Sequence, residues 1–210
     1  MSETEGILGV LRRAPVVPVL VVERTADAAP LARALVAGGL PALEVTMRTP
    51  AALDVIRAMA GVAGGVVGAG TVLDPAQAEA AVAAGAKFLV SPGFTPSIGD
   101  AARRLGVPLL PGVATAGEAM VTREAGFRVQ KFFPAGPAGG PAYLKALAGP
   151  LPDVLFCPTG GVTAENASAY LALPNVVCVG GSWVAPGDAV RAGDFARIEA
   201  LARAAAGLRG

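Results

Sequence analysis

Val16-Val-Pro-Val-Leu-Val-Val22, then Ala28, Leu31, Ala32, Leu35 and Val36, then Gly39, then Leu40-Pro-Ala-Leu-Glu-Val-Thr46: the reading of the whole chain turns on this stretch. A short, β-branched apolar run is the mark of a buried strand, and apolar residues three and four apart form one face of a helix. A glycine placed after such a face ends the helix at little cost, because it adopts the left-handed conformation. The unit recurs. Apolar runs begin near Val16, Leu40, Gly65, Lys87, Val107, Phe127, Val154 and Val176. Their separation of about 20–26 residues fits a strand plus a crossover helix.

The punctuation between runs repeats as well. Gly39, Gly85, Gly106, Gly126 and Gly149 stand where helices should stop, and Thr49-Pro50, Asp74-Pro75 and Thr163-Ala164 stand where they should start. Strands apolar on both faces imply a parallel sheet. Eight strand–helix repeats imply an α/β fold closed into a (β/α)8, or TIM, barrel. An open doubly wound sheet is the main rival, and the leucine/asparagine pattern of leucine-rich repeats is absent. No linker interrupts residues 1–210, so one barrel domain is expected, with an extra N-terminal helix over residues 1 to about 14.

Composition narrows the function. Of 210 residues, 53% are apolar and 16% charged, which excludes a disordered chain. The run from Pro15 to Val22 is too short to cross a bilayer, which needs about 20 residues. The start, Ser2-Glu-Thr-Glu5, is acidic where a secretory signal is basic, so a cytoplasmic location is the expectation. With a net charge of +1 and no basic run, nucleic acid is not expected as the main partner and a small molecule is. Cys157 and Cys178 sit in apolar runs and read as buried, reduced thiols. The chain has no histidine at all, which removes the commonest general base and the commonest ligand of catalytic zinc. Catalysis would have to rest on carboxylate and lysine.

In a barrel, reactive groups gather at the C-terminal ends of strands, where the βα loops meet. Two residues stand out by that rule. Glu44 lies in Leu40-Pro-Ala-Leu-Glu-Val-Thr-Met-Arg48, with Arg48 just beyond the strand end. It is either half of a structural ion pair or a buried carboxyl suited to acid–base work. Lys131 lies in Phe127-Arg-Val-Gln-Lys-Phe-Phe-Pro134. Lysines seldom bury without a partner or a function. Burial disfavours the ammonium form of a lysine and so favours a neutral amine able to attack a ketone; the bland alternative is a side chain snorkelling to solvent. Lys87 falls at the entrance of a strand and Lys145 in a helix, and neither placement suggests chemistry.

Gly68-Ala-Gly-Thr71 lacks the third glycine of a dinucleotide loop and reads either as a tight turn or as a loop that presents Thr71 to a ligand. Thr159-Gly-Gly-Val and Gly180-Gly-Ser-Trp follow the last two strands, where barrels commonly bind phosphate on exposed backbone N–H groups. A phosphorylated small molecule is therefore expected.

Taken together, Leu43-Glu-Val-Thr-Met-Arg-Thr49, Gly68-Ala-Gly-Thr71, Ser91-Pro-Gly-Phe94, Pro111-Gly-Val113, Lys131-Phe-Phe-Pro-Ala135, Cys157-Pro-Thr-Gly-Gly161 and Gly180-Gly-Ser-Trp183 resemble the KDPG aldolase family, from about Val16 to the C-terminal helix. The resemblance implies a class I, Schiff-base aldolase without metal or cofactor, usually a homotrimer. Its substrate would be 2-keto-3-deoxy-6-phosphogluconate, cleaved to pyruvate and glyceraldehyde 3-phosphate, and it would extend to 4-hydroxy-2-oxoglutarate. By motif, Lys131 would form the imine, Glu44 would move protons, and Arg48 with Thr71 would hold the pyruvate carboxylate. Gly160, Gly161 and Ser182 would bind phosphate, with Phe133 and Pro92 as pocket walls. Where the family often has an acidic residue after Lys-Phe-Phe-Pro-Ala, this chain has Gly136. The alternatives are the galactonate epimer as substrate, a metal-dependent epimerase, a pyridoxal-phosphate enzyme, or a non-catalytic barrel that binds phosphate esters.

Overall fold

The computed structural model describes residues 3–208. Met1 and Ser2, with which the expected N-terminal helix and the acidic start begin, lie outside the described residues, as do residues 209–210. Helix α1 (Glu3–Leu11) leads into alternating strands and helices: β1 (Val16–Leu20), α2 (Thr25–Ala37), β2 (Ala42–Thr46), α3 (Ala52–Ala60), β3 (Val66–Gly70) and α4 (Pro75–Ala83). There follow β4 (Leu89–Val90), α5 (Pro96–Leu105), β5 (Leu109–Leu110), β6 (Gly112–Val113), α6 (Ala116–Glu124), β7 (Val129–Phe132) and α7 (Gly140–Leu147). The chain ends with β8 (Leu155–Pro158), α8 (Ala167–Leu171), β9 (Val179–Gly181), α9 (Gly187–Ala192) and α10 (Phe195–Ala206).

Every strand pair is parallel, in a curled α/β arrangement of two sheets ordered β5-β4-β3-β2-β1-β9 and β6-β7-β8. The sheets nearly meet at both edges. On one side, β5 and β6 are a single run split at Pro111, which has no N–H to give to a ladder but whose carbonyl accepts from Lys131 N at 2.8 Å. On the other, β8 and β9 are linked by the bridges Phe156–Val176 and Thr159–Gly180. The eightfold sequence pattern thus appears as nine strand segments because a proline interrupts the fifth run.

Side chains alternate across each strand. Val16, Leu43 and Phe132 face the helices, while Val17, Ala42 and Val129 join an inner cluster with Phe88 and Val90, closed at its base by Ile7 and Leu11 of α1. Glu44 is two residues from Ala42, and Lys131 two from Val129. The same alternation therefore turns both toward the interior.

Some of the expected punctuation holds. Asp74 caps α4 by accepting from Gln77 N at 2.8 Å, with Pro75 in the first turn, and Gly106 ends α5 at φ +67°. Three helix marks are misplaced. Thr49 caps nothing; α3 starts at Ala52, and the Thr49 hydroxyl donates instead to Val22 O at 2.8 Å, tying two loops. Thr163 precedes a turn rather than α8, which starts at Ala167. Gly149 does not take the left-handed conformation, because the following Pro150 favours extended backbone before it.

Candidate active site

Strand β7 shows why Lys131 is held where it is. Its neighbours face the other way: the amide nitrogen of Gln130 donates to Ala119 O and Phe127 O at 3.0 and 2.9 Å, and Phe132 stacks on Tyr143 at 5.6 Å. These two anchors fix the outer side of the strand. Lys131 is left pointing inward and only 4% exposed. Its Nζ lies 3.1 Å from Glu44 Oε1, and Glu44 is 2% exposed. The two strands belong to different sheets, so this pair crosses the interior from one to the other. Nζ also sits 5.3 Å from the centre of the Phe133 ring.

Glu44 is as tightly placed as its partner. In register, Glu44 faces Gly68 and Thr46 faces Gly70 on β3. Where Gly70 lacks a Cβ, the Glu44 carboxyl fills the space. The next residue, Thr71, takes φ +60°, the sole positive φ outside glycine among the described residues. That costs strain, and such outliers cluster at functional sites. The Thr71 hydroxyl accepts from Arg48 Nε at 3.2 Å, and Arg48 is exposed at the mouth above Glu44.

The two Gly-Gly motifs differ from each other. Gly160 and Gly161 are both left-handed, at φ +90° and +79°, in a loop pinned by Asn166. Its amide nitrogen donates to Gly161 O at 2.9 Å and its oxygen accepts from Thr163 N at 2.8 Å. Gly180 and Gly181, by contrast, are strand residues whose missing side chains make room for others. A Cβ on Gly180 would stand 2.2 Å from Thr159 Oγ1, and one on Gly181 would stand 1.8 Å from Trp183 Cζ3. Ser182 follows, exposed at the rim. Gly136 N donates to Gly160 O at 2.8 Å, so the loops after β7 and β8 lie side by side. Glu165, on the same loop as Gly161, has its carboxyl held below the usual range by the Thr163 side chain and its own backbone N–H.

Pro92 and Phe133 line a cavity of about 490 Å³ together with Phe94, Gly112 and the α6 residues Glu118, Val121 and Thr122; Lys131 and Glu44 are not among its walls. Gly112 is the register partner of Lys131, and a Cβ on it would strike Pro92 O at 2.1 Å. A Cβ on Gly160 would come within 3.2 Å of the Phe133 ring. All nine residues singled out in the sequence therefore lie around one end of the sheets. Two more belong with them. Thr159, 6% exposed, faces the interior two residues beyond Cys157, and Asn166 orders the glycine loop. Thr159 could have been found by extending the period-2 pattern of β8 by one step; Asn166 left no signal beyond a loop asparagine.

A curled parallel sheet that brings a lysine and a carboxylate together out of water, beneath glycine loops at the strand ends, defines the class of α/β carbon–carbon lyases. The sequence profile of the family described as KDPG and KHG aldolase matches residues 7–201, and the chain belongs to that family. It is 51% identical over 197 residues to the 2-dehydro-3-deoxy-phosphogluconate aldolase of Pseudoalteromonas atlantica, covering 93% of this chain and 92% of that one. The crystal structure of the 2-keto-3-deoxy-6-phosphogluconate aldolase of Zymomonas mobilis with 3-phosphoglycerate superposes with a TM-score of 0.93 at 49% identity, covering 98% and 97% of the two chains. The KDPG aldolase of Legionella pneumophila, with pyruvate captured as a covalent carbinolamine, gives 0.92 at 44% identity, covering 95% and 97%.

Proposed function

We propose that this chain is a class I aldolase that cleaves 2-keto-3-deoxy-6-phosphogluconate to pyruvate and glyceraldehyde 3-phosphate, and also accepts 4-hydroxy-2-oxoglutarate. The observation that carries the reading is the buried 3.1 Å contact between Lys131 Nζ and Glu44 Oε1. Passing the proton along that hydrogen bond leaves a neutral amine facing the interior between the two sheets. The amine attacks the keto carbon, Glu44 hands the proton it received to the departing hydroxyl, and loss of that water leaves a protonated imine with Glu44 again a carboxylate. Glu44 as carboxylate takes the proton from the hydroxyl beside the scissile bond. The carbon–carbon bond breaks toward the imine, the aldehyde leaves, and an enamine remains. Glu44 returns a proton to the enamine carbon, and water then releases pyruvate.

The remaining roles follow from position. Arg48 and Thr71, hydrogen-bonded above Glu44, grip the pyruvate carboxylate. Gly160, Gly161 and Ser182 take the phosphate, and Phe133, Pro92 and Thr159 wall the pocket between. In this reading residues 1–210 form one (β/α)8 barrel, supported by the near-contact of the two sheets at Pro111 and at the Thr159–Gly180 bridge. In the same reading the enzyme is a homotrimer of the cytoplasm. No helix among the described residues is long and apolar enough to cross a membrane.

The test is covalent trapping. Sodium borohydride with pyruvate should add the reduced three-carbon adduct to Lys131, located by peptide mass spectrometry. Label at Lys87 or Lys145, or an active enzyme that takes no label, overturns the assignment.

A further inference from the structure

Beside the Lys131–Glu44 pair lies a second pair of chemically active groups that the reaction does not use. Cys157 on β8 is the register partner of Lys131, 2% exposed and facing the same interior. Cys178, fully buried, donates from its Sγ to the Cys157 Sγ at 3.5 Å, and the two are not joined by a disulfide. Their approach has a local cause. Between the bridges Phe156–Val176 and Thr159–Gly180 the β8 side advances three residues and the β9 side four. The extra residue is a bulge, and it turns both Val177 and Cys178 into the inner cluster. No third Cys, His, Asp or Glu among the described residues completes a group that could hold a metal ion. That leaves the chemistry of two neighbouring thiols, which is oxidation.

We infer that Cys157 and Cys178 form a peroxide-oxidisable dithiol whose disulfide shuts off imine formation at Lys131, the second half resting on the aldolase reading. Cys157, 2% exposed where Cys178 is fully buried, attacks one oxygen of hydrogen peroxide. The O–O bond breaks, the thiol proton leaves with the departing oxygen as water, and Cys157 becomes a sulfenic acid. The Cys178 sulfur then attacks that sulfur, its proton leaves with the hydroxyl as a second water, and the disulfide forms. Two thiols lose two electrons and two protons, and one peroxide becomes two waters.

The consequence for Lys131 is mechanical. A disulfide needs its sulfurs about 2.05 Å apart, so the gap must close by well over an ångström. That draws β8 at Cys157 toward β9, and β8 is laddered to β7 on both sides of Lys131, with Leu155 N donating to Arg128 O at 2.8 Å and Thr159 N to Phe132 O at 2.9 Å. The Lys131–Glu44 contact, set across the interior, shifts with it.

The experiment treats the folded full-length protein with hydrogen peroxide and reads intact mass and borohydride-trapped pyruvate. Expected are a loss of 2 Da, a fall in trapping of at least tenfold, and return of both on dithiothreitol, while Cys178→Ala keeps its trapping under the same peroxide. An unchanged mass, oxygen addition in place of the 2 Da loss, or a disulfide with trapping intact overturns the inference. Failure of the aldolase reading is distinguishable, because the reduced protein would then trap no pyruvate before any oxidant is added; the coupling to Lys131 would be overturned while the mass shift still reports on the thiols.

Discussion

The carboxyl of Glu44 occupies the place of the side chain that Gly70 lacks: a Cβ on Gly70 would lie 2.2 Å from Glu44 Oε1 and 2.6 Å from its Cγ. Gly70 sits in an ordinary strand conformation, so an alanine there meets no backbone penalty, only the carboxylate. Gly70→Ala is therefore expected to fold while pushing Glu44 off Lys131. In the proposed mechanism Glu44 supplies the acid–base part of catalysis, worth about 10²–10⁴-fold. The variant should lose at least tenfold in kcat with a native circular dichroism spectrum, and Glu44→Gln should lose more. Wild-type turnover in Gly70→Ala would mean that the carboxylate position does not matter.

The glycine at 160 tests the phosphate loop separately from the chemistry. Its φ of +90° suits glycine, and a Cβ would crowd the Phe133 ring at 3.2 Å. Forcing an L-residue into left-handed backbone costs about 1–2 kcal/mol. Relieving that cost by moving the loop should raise KM for the phosphorylated substrate roughly tenfold, since about 1.4 kcal/mol is a factor of ten. Activity on 4-hydroxy-2-oxoglutarate, which has no phosphate, should change little in Gly160→Ala. Equal losses on both substrates would remove this loop from phosphate binding.

Strand–helix alternation and the buried Lys131 and Glu44 were legible in the sequence for one physical reason. Each is a break in a periodic apolar pattern, and a period can be read without coordinates. What escaped depends on tertiary neighbours. Pro111 splits a strand because of the ladder it sits in, and Pro150 holds Gly149 out of the left-handed conformation that ends other helices. Thr49 bonds across to Val22 O instead of capping its own helix, which no local rule foretells. The likeness of the two Gly-Gly motifs was misleading in the same way. Gly160-Gly161 is a left-handed loop, whereas Gly180-Gly181 is strand backbone that yields space to Thr159 and Trp183.

Asp153 offers a stability test away from the site. It accepts from Arg123 Nε at 2.8 and 3.1 Å and from Arg128 Nη1 at 2.8 Å, tying α6 and the entry of β7 to the turn before β8. The Arg123 hydrogen bond, aided by the charges of Arg123 and Arg128, holds the Asp153 carboxyl below its ordinary range. A depressed folded value stabilises the fold fully above the unfolded value of about 3.9, and that contribution is lost as pH falls through the folded value. Asp153→Asn should therefore lower the urea midpoint at about pH 7, and the gap to wild type should narrow below about pH 4. A gap that widens on acidification would contradict the sign.

Trp183 gives the phosphate end a spectroscopic readout, because it is the single tryptophan of the chain. Its ring lies on the bare backbone of Gly181, where a Cβ would fall 1.8 Å from Cζ3, and Ser182 stands between them in sequence. A phosphate settling against Ser182 and the glycine loop places charge beside a partly buried indole, so emission should change saturably as glyceraldehyde 3-phosphate is titrated. Pyruvate alone, bound at the Arg48 end, should leave the signal nearly flat. Gly181→Ala must evict the ring, so its emission should shift to the red and the titration midpoint should rise several-fold. If pyruvate and the phosphate ester perturb the fluorescence equally, Ser182 does not mark a separate phosphate end, and the orientation proposed for the substrate is wrong.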